Sequence, residues 1–229
     1  MSHPILSLIN QGEHQQLDFK FEISDSRKIA RTLVAFSNTD GGKLLIGVKD
    51  NGNIAGVRSD EEFYMVQAAA EMYCRPKIEF TTREWEINGK MVLEVTIPRR
   101  NDGPFSAQDE HGKWLIYIRV QDQNILANKI WIKVWKRRKA QQATWVRYTD
   151  AEKSLLQYLE QHPRITMSGF LKLAGLPKYK AETVLVNLIC LNILDMTIND
   201  KGVWYHLKPG YDRNPETRAL KHGDELSFA

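Results

Sequence analysis

The stretch Asn38–Gly52, NTDGGKLLIGVKDNG, decides the fold. Gly41 and Gly42 read as a helix stop, because glycine enters the left-handed backbone region without a Cβ clash. Leu44, Leu45, Ile46 and Val48 follow. Apolar residues at both odd and even positions mean that both faces are covered, which predicts a strand in the middle of a sheet. Asn51-Gly52 is a hairpin signal, with Ile54–Val57 as the expected returning strand. Asp50 stands where the buried strand runs out.

Upstream, Ile5, Leu6, Leu8 and Ile9 suit a short helix over residues 4–10. Leu17, Phe19 and Phe21 alternate with Asp18, Lys20 and Glu22, the period of a strand with one buried face. Ser24 and Asp25 are N-cap candidates for a helix from Ser26 to Ser37, whose residues Ile29, Ala30, Leu33 and Phe36 share one side. Downstream, a helix is expected over Asp60–Tyr73. Strands are expected over Lys77–Ile87 and Met91–Ile97, joined at Asn88-Gly89, and over Lys113–Val120. Ala127–Ala140 reads as a helix carrying Lys129, Lys133, Lys136, Arg137, Arg138 and Lys139, although Ile132–Val134 also suits a strand. This order of elements argues for a mixed-sheet α+β domain over residues 1–142.

Composition shifts at Ala140–Tyr148, which reads as a linker. Thr149 and Glu152 form a capping-box pattern ahead of Leu155, Leu156 and Leu159. Ser168–Gly175 and Lys178–Leu191 read as two further helices. Ile193–Ile198 and Val203–Leu207 then flank the turn Asn199–Gly202. Three helices and a hairpin within residues 143–210 are the layout of a winged helix-turn-helix domain. Residues 211–229 are poor in apolar side chains and read as a flexible tail.

A chain of 229 residues has room for one large domain or two small ones. No run approaches the roughly 18 apolar residues of a membrane span. The first residues lack the pattern of a secretory signal. Cys74 and Cys190 are far apart and belong to no CxxC pair, as expected of reduced thiols in a cytoplasmic protein. The net charge of +4 is too small to argue for nucleic acid by itself. Residues 1–142 hold 21 Lys and Arg against 18 Asp and Glu, and residues 143–210 hold 8 against 6, so any phosphate contact must come from local clustering.

GEHQQLDFK (Gly12–Lys20), followed by AFSNTDGGKLLIGVKDNGNIAG (Ala35–Gly56) and GKWLIYIRVQDQN (Gly112–Asn124), resembles the Schlafen AlbA-like domain. The resemblance covers roughly residues 10–130. It implies a domain widespread in bacteria and associated there with DNA binding or, under a "divergent AAA" label, with ATP. Members with a C-terminal helix-turn-helix are often labelled transcriptional regulators, and some animal relatives cut structured RNA. Animal relatives also pair two such lobes in one chain, which implies a homodimer for a single-lobe chain.

The family's nuclease members use three carboxylates, and motif alignment implies Glu13, Asp18 and Asp50 as the catalytic and metal-ligating set here. The second is usually Glu, so Asp18 shortens the reach by one methylene. Hydrolysing a phosphodiester needs an activated water and neutralised charge, which Mg²⁺ or Mn²⁺ held by clustered carboxylates supplies. Lys20, two residues beyond Asp18 on the same strand, faces the same side. It suits either a phosphate or a salt bridge to the acids. Gly41-Gly42-Lys43 does not match the GxxxxGK[ST] phosphate loop, so ATP is not an expected cofactor.

For nucleic acid, the third helix of the C-terminal module is the recognition candidate. Lys178 and Lys180 lie at its start, and Lys180, Thr183 and Asn187 share a face. Lys201 at the wing tip suits a flanking phosphate. The N-terminal domain adds Arg99, Arg100 and the basic run Lys136, Arg137 and Arg138, with Trp114, Trp131 and Trp135 as aromatic candidates. The expected function is a nucleic-acid-binding protein, DNA favoured and RNA the alternative, acting as a transcriptional regulator. A metal-dependent endoribonuclease and a protein-interaction scaffold are the rival readings.

Overall fold

Helix α1 (Pro4–Ile9) and strand β1 (Leu17–Lys20) open the chain. Helix α2 (Ser26–Asn38) starts where Asp25 turns its side chain onto its own helix, Oδ1 accepting from Arg27 N at 2.8 Å. It ends at Asn38 with Thr39 as its C-cap, and the N–H of Gly41 just beyond donates to the Phe36 carbonyl at 2.9 Å. Gly41 has φ +70, and a Cβ there would stand 2.7 Å from Arg99 N, so both backbone sign and space require glycine. Strand β2 (Gly42–Ile46) follows at once.

The remaining elements of this part are α3 (Glu61–Met72), β3 (Cys74–Arg75), β4 (Thr81–Ile87), β5 (Lys90–Ile97), β6 (Ser106–Gln108), β7 (Trp114–Leu115), β8 (Tyr117–Val120) and β9 (Gln123–Leu126). The main sheet has the order β1-β2-β5-β4. Strand β1 runs parallel to β2, with Asp18 opposite Leu44, while β2–β5 and β5–β4 are antiparallel. Leu44 and Ile46 pack with α2 and α3 through Leu33, Phe36, Val66 and Ala69. Leu45 packs on the other face with Leu17, Phe19, Val92 and the α1 residues Ile5 and Ile9. The central strand is therefore buried on both faces, as its unbroken apolar run requires. Each such buried Leu, Ile or Phe contributes about 1.5–3 kcal/mol.

Three local expectations differ from the structure. The returning strand Ile54–Val57 reduces to a single bridge, Val48 to Ile54. Gly47, at φ +92, turns the chain there, and its carbonyl accepts from both Ala55 N and Gly56 N, which prevents an extended ladder. The strand Lys113–Val120 divides at Ile116 into β7 and β8, because β7 pairs with β6 and β8 pairs with β9. Strand β1 is covered on both faces rather than one. Asp18 is 3% exposed, whereas Phe21, expected inside, is 39% exposed with Lys49 Nζ over its ring.

The structure is a computed structural model and describes residues 4–57, 59–140, 148–199 and 201–211. The expected linker falls largely, and the expected tail almost wholly, outside those residues. Two compact units are present, Met1–Ile132 and Lys133–Ala229. The boundary lies within helix α4 (Lys129–Lys139). The helix-or-strand choice over Ile132–Val134 is settled as helix, with Asn128 Oδ1 accepting from Trp131 N at 2.8 Å in the manner of a cap.

In the second unit, α5 (Asp150–Gln161) begins with the expected capping box between Thr149 and Glu152. Helix α6 (Met167–Ala174) ends at Gly175 with φ 62, and α7 (Lys178–Cys190) starts directly after Pro177. Strands β10 (Leu194–Asn199) and β11 (Gly202–Leu207) form an antiparallel hairpin. Ile165, between α5 and α6, bridges antiparallel to Tyr205. Leu155, Leu156, Phe170, Leu185, Leu188 and Leu194 are among this unit's buried side chains. No helix among the described residues is long and apolar enough to cross a membrane.

Candidate nucleic-acid interface and carboxylate cluster

Strand β1 brings Glu13, Asp18 and Lys20 together. Glu13 precedes the strand, and its Oε1 accepts from Phe19 N at 2.8 Å. Lys20 Nζ lies 3.0 Å from Asp18 Oδ2 and 3.9 Å from Glu13 Oε1, so the two residues that share a strand face do meet. Burial pushes the Glu13 carboxyl up to about 6, and a hydrogen bond and charge repulsion from Asp18 add to it. The Phe19 N–H and Lys20 act in the opposite sense.

Asp18 has a further partner that sequence reading missed. Arg119, on β8, places Nη2 3.2 Å from Asp18 Oδ1. The same nitrogen donates to the carbonyls of Leu17 and His14, while Nη1 donates to Asn124 Oδ1 at 3.1 Å. The guanidinium lies 5.1 Å from the Phe36 ring centroid. Its side chain is 1% exposed, which makes it the largest fully buried side chain among the described residues. The one available signal was an arginine inside the apolar strand pattern YIRV (Tyr117–Val120). Asn38 was missed as well: its Nδ2 donates to the Phe105 and Tyr117 carbonyls and its Oδ1 accepts from Phe105 N. The first residue of the decisive stretch thus ties α2 to the later strands.

Asp50 is not gathered into this cluster. It is exposed in the turn closed by Gly52 N donating to the Lys49 carbonyl at 2.8 Å. Among the described residues, no group of three or more His, Cys, Asp and Glu side chains is arranged to hold a metal ion. The two oxygens of Asp18 already face two cations. The residues present therefore do not fit a Mg²⁺ or Mn²⁺ site in this arrangement. Gly41 and Gly42 connect a helix to a strand, the reverse of the strand-to-helix course of a phosphate loop.

The other first-unit candidates divide. Arg100 is held by Asp102 and by Glu79, with Nη–O distances of 2.8 and 2.7 Å, so its charge serves an internal network. Arg99 is exposed and lines a cavity of about 380 Å³ together with His14, Lys43 and Asp40. Lys43 is paired with the buried Glu94 at 2.6 Å. Trp114 lies beneath Arg75 and Trp135 beneath Lys139, each ring already facing a cation, and Trp131 is half-buried.

In the second unit, Lys178, Tyr179, Lys180 and Thr183 are exposed at the start of α7. The Thr183 hydroxyl donates to the Tyr179 carbonyl at 2.9 Å. Asn187 departs from its expected role as a base reader. It is half-buried, and its Oδ1 accepts from Arg137 Nη1. Lys133 Nζ reaches Glu182 at 2.5 Å and Arg138 Nη2 donates to the Ile189 carbonyl at 3.1 Å. Lys133, Arg137 and Arg138 of α4 thus contact α7 from Glu182 to Ile189. Lys136 is exposed. Lys201 is exposed in the hairpin turn, where its N–H donates to Asn199 Oδ1 at 2.8 Å. Burial pushes the Cys74 thiol up to about 12 and raises that of Cys190, and neither forms a disulfide.

Among solved structures, the chain is similar to the DIP2311 protein of Corynebacterium diphtheriae, at 18% identity and a TM-score of 0.43, over 82% of this chain and 34% of that one. It is also similar to the N-terminal domain of a DNA helicase RecG-related protein from Nitrosomonas europaea, at 20% identity and a TM-score of 0.38, over 55% of this chain and 93% of that one. The chain spans about a third of the length of DIP2311. No curated protein matches it. The family model described as Schlafen, AlbA_2 matches residues 13–128, just over half of the chain and the part that carries β1, the decisive stretch and Arg119; the chain belongs to the Schlafen AlbA_2 family.

Proposed function

We propose that this protein binds duplex DNA through its second unit, which acts as a winged helix, and that it serves as a DNA-binding regulator. The observation that carries the reading is the open first half of α7, where Lys178, Tyr179, Lys180 and Thr183 are all exposed. Helices α6 and α7 are joined by the short turn Gly175-Leu176-Pro177, the spacing of a helix-turn-helix. The hairpin β10–β11 and the bridge from Ile165 to Tyr205 supply the small sheet of such a fold, with Lys201 at the turn. In this architecture the second helix of the pair enters the major groove by its N-terminal residues. Lysines there contact phosphate or guanine, and Thr183 suits a base edge.

The test is fluorescence anisotropy of the full chain on labelled duplex across a salt series. Lys180→Ala removes one cation from the phosphate-facing set and is expected to lower the salt slope by about 0.9. Binding that ignores salt, or that Lys178→Ala and Lys180→Ala both leave intact, would remove α7 from the interface. Incubation with tRNA and with duplex, with and without Mn²⁺, separates the rival readings: Mn²⁺-dependent tRNA cleavage favours a nuclease, and binding to neither favours a protein scaffold. The reading extends to a homodimer, on the resemblance to relatives that pair two lobes. Light scattering that gives a monomer at micromolar concentration counts against that extension.

A further inference from the structure

Resting on that reading, we infer that the groove between α4 and α7 holds a backbone phosphate of the bound duplex, with Arg137 as its preset fork. The groove is a cavity of about 460 Å³ lined by Lys133, Lys136, Arg137, Ala140, Thr183 and Val186. Three of those six are cations, and none is an acid. The acid nearest to them on α7 is Glu182, whose carboxylate is spanned by Lys133. The first cation is thereby neutralised, and Lys136 and Arg137 supply the net positive charge.

Arg137 differs from an ordinary surface arginine. Asn187 accepts from its Nη1, which orients the guanidinium without neutralising it, because an amide carries no charge. A guanidinium held in place by one edge keeps its other N–H groups for a bidentate oxyanion, and a backbone phosphate presents two oxygens to such a fork. Asn187 is accordingly a positioning residue for Arg137 rather than a reader of bases. Lys136 is exposed and lies one residue away along the same helix. Thr183, exposed on α7, completes the opposite wall. The groove thus continues from the exposed start of α7 at Lys180 through Thr183 into the stretch flanked by α4.

A wider footprint follows. A winged helix using α7 and its turn alone would draw on Lys178, Lys180 and Lys201; the groove adds Lys136 and Arg137. This contact carries no sequence information, since phosphates are alike along the duplex. It sets register and affinity, and leaves discrimination to the first turn of α7.

The experiment compares Lys136→Ala, Lys136→Arg and Lys180→Ala in the full chain on cognate-length and unrelated duplexes across a salt series. Lys136 is exposed, so its replacement tests the contact without unfolding the unit. Lys136→Ala is expected to weaken binding several-fold and equally on all duplexes, with the salt slope falling by about 0.9, and Lys136→Arg to restore both. Lys136→Ala without effect beside a weakened Lys180→Ala overturns the groove contact and leaves the α7 reading standing. The converse result upholds the groove and, where Lys178→Ala is also without effect, removes the first turn of α7 from the interface. A parallel arm follows inorganic phosphate by NMR shifts of Arg137 and Thr183. Phosphate binding that Lys136→Ala abolishes, with duplex binding unchanged by the same variant, assigns the groove to a free anion and overturns the inference.

Discussion

Two charged regions of this protein look alike in sequence and differ in physics. Around β1, Glu13, Asp18, Lys20 and Arg119 form a cluster in which Asp18 and Arg119 are 3% and 2% exposed. Along α4 and α7, Lys133, Lys136, Arg137, Lys178 and Lys180 form another, mostly at the surface. In the first, opposite charges face one another away from water, so geometry is fixed by mutual neutralisation. In the second, cations exceed acids and stay hydrated, ready to exchange counterions for phosphates. A buried paired cluster holds a fold in register, whereas an exposed unbalanced one leaves cations open to solvent.

Arg119→Ala is the sharpest way to break that contrast. It would leave Asp18 with Lys20 as its remaining cation, in a buried setting. Removing one partner of a buried pair costs about 3–5 kcal/mol, to be read from chemical denaturation. A loss under about 1 kcal/mol would place this pair among surface ion pairs and erase the distinction.

Glu13 allows a finer test. Its folded carboxyl titrates near 6, above the ordinary 4.5, so the folded state binds the proton more tightly than the unfolded chain does. The stabilisation is therefore complete below 4.5 and is lost as pH rises through 6. Glu13→Gln keeps the acceptor for Phe19 N and removes this dependence. The variant is expected to gain about 1 kcal/mol on the wild type between acid and neutral pH, since a tenfold change in proton affinity is worth about 1.4 kcal/mol and partial solvation reduces it. Parallel stability curves across that window would show that burial and Asp18 do not raise the Glu13 carboxyl.

The smallest expected effect belongs to the exposed region. Lys136→Ala should alter thermal stability by no more than about 0.5 kcal/mol, as for a surface side chain outside the packed core. A larger drop would mean that the basic face of α4 supports the unit, and the contrast with Arg119 would narrow.

Much of the fold was legible because it depends on short-range chemistry. The unbroken apolar run Leu44–Ile46 announced a central strand, Gly41 a helix stop, and Thr149 with Glu152 a capping box, and each is present. The meeting of Asp18 and Lys20 was legible too, because a strand repeats every two residues. Ile54–Val57 was misread because the hairpin signal at Asn51-Gly52 says nothing of the bend that Gly47 imposes a few residues earlier.

By itself, then, the amino-acid order determined most of the longer elements, their caps, and the family to which residues 13–128 belong. Tertiary structure alone decided which polar and charged groups distant in the chain meet. Arg119 comes to Asp18 across 101 residues and Arg137 to Asn187 across 50, while Asp50, much nearer to Asp18 in the chain, stays out in an exposed turn. The reason is physical: periodicity and capping act within a turn or two of chain, but a charge finds its partner only after the core has packed and closed off water.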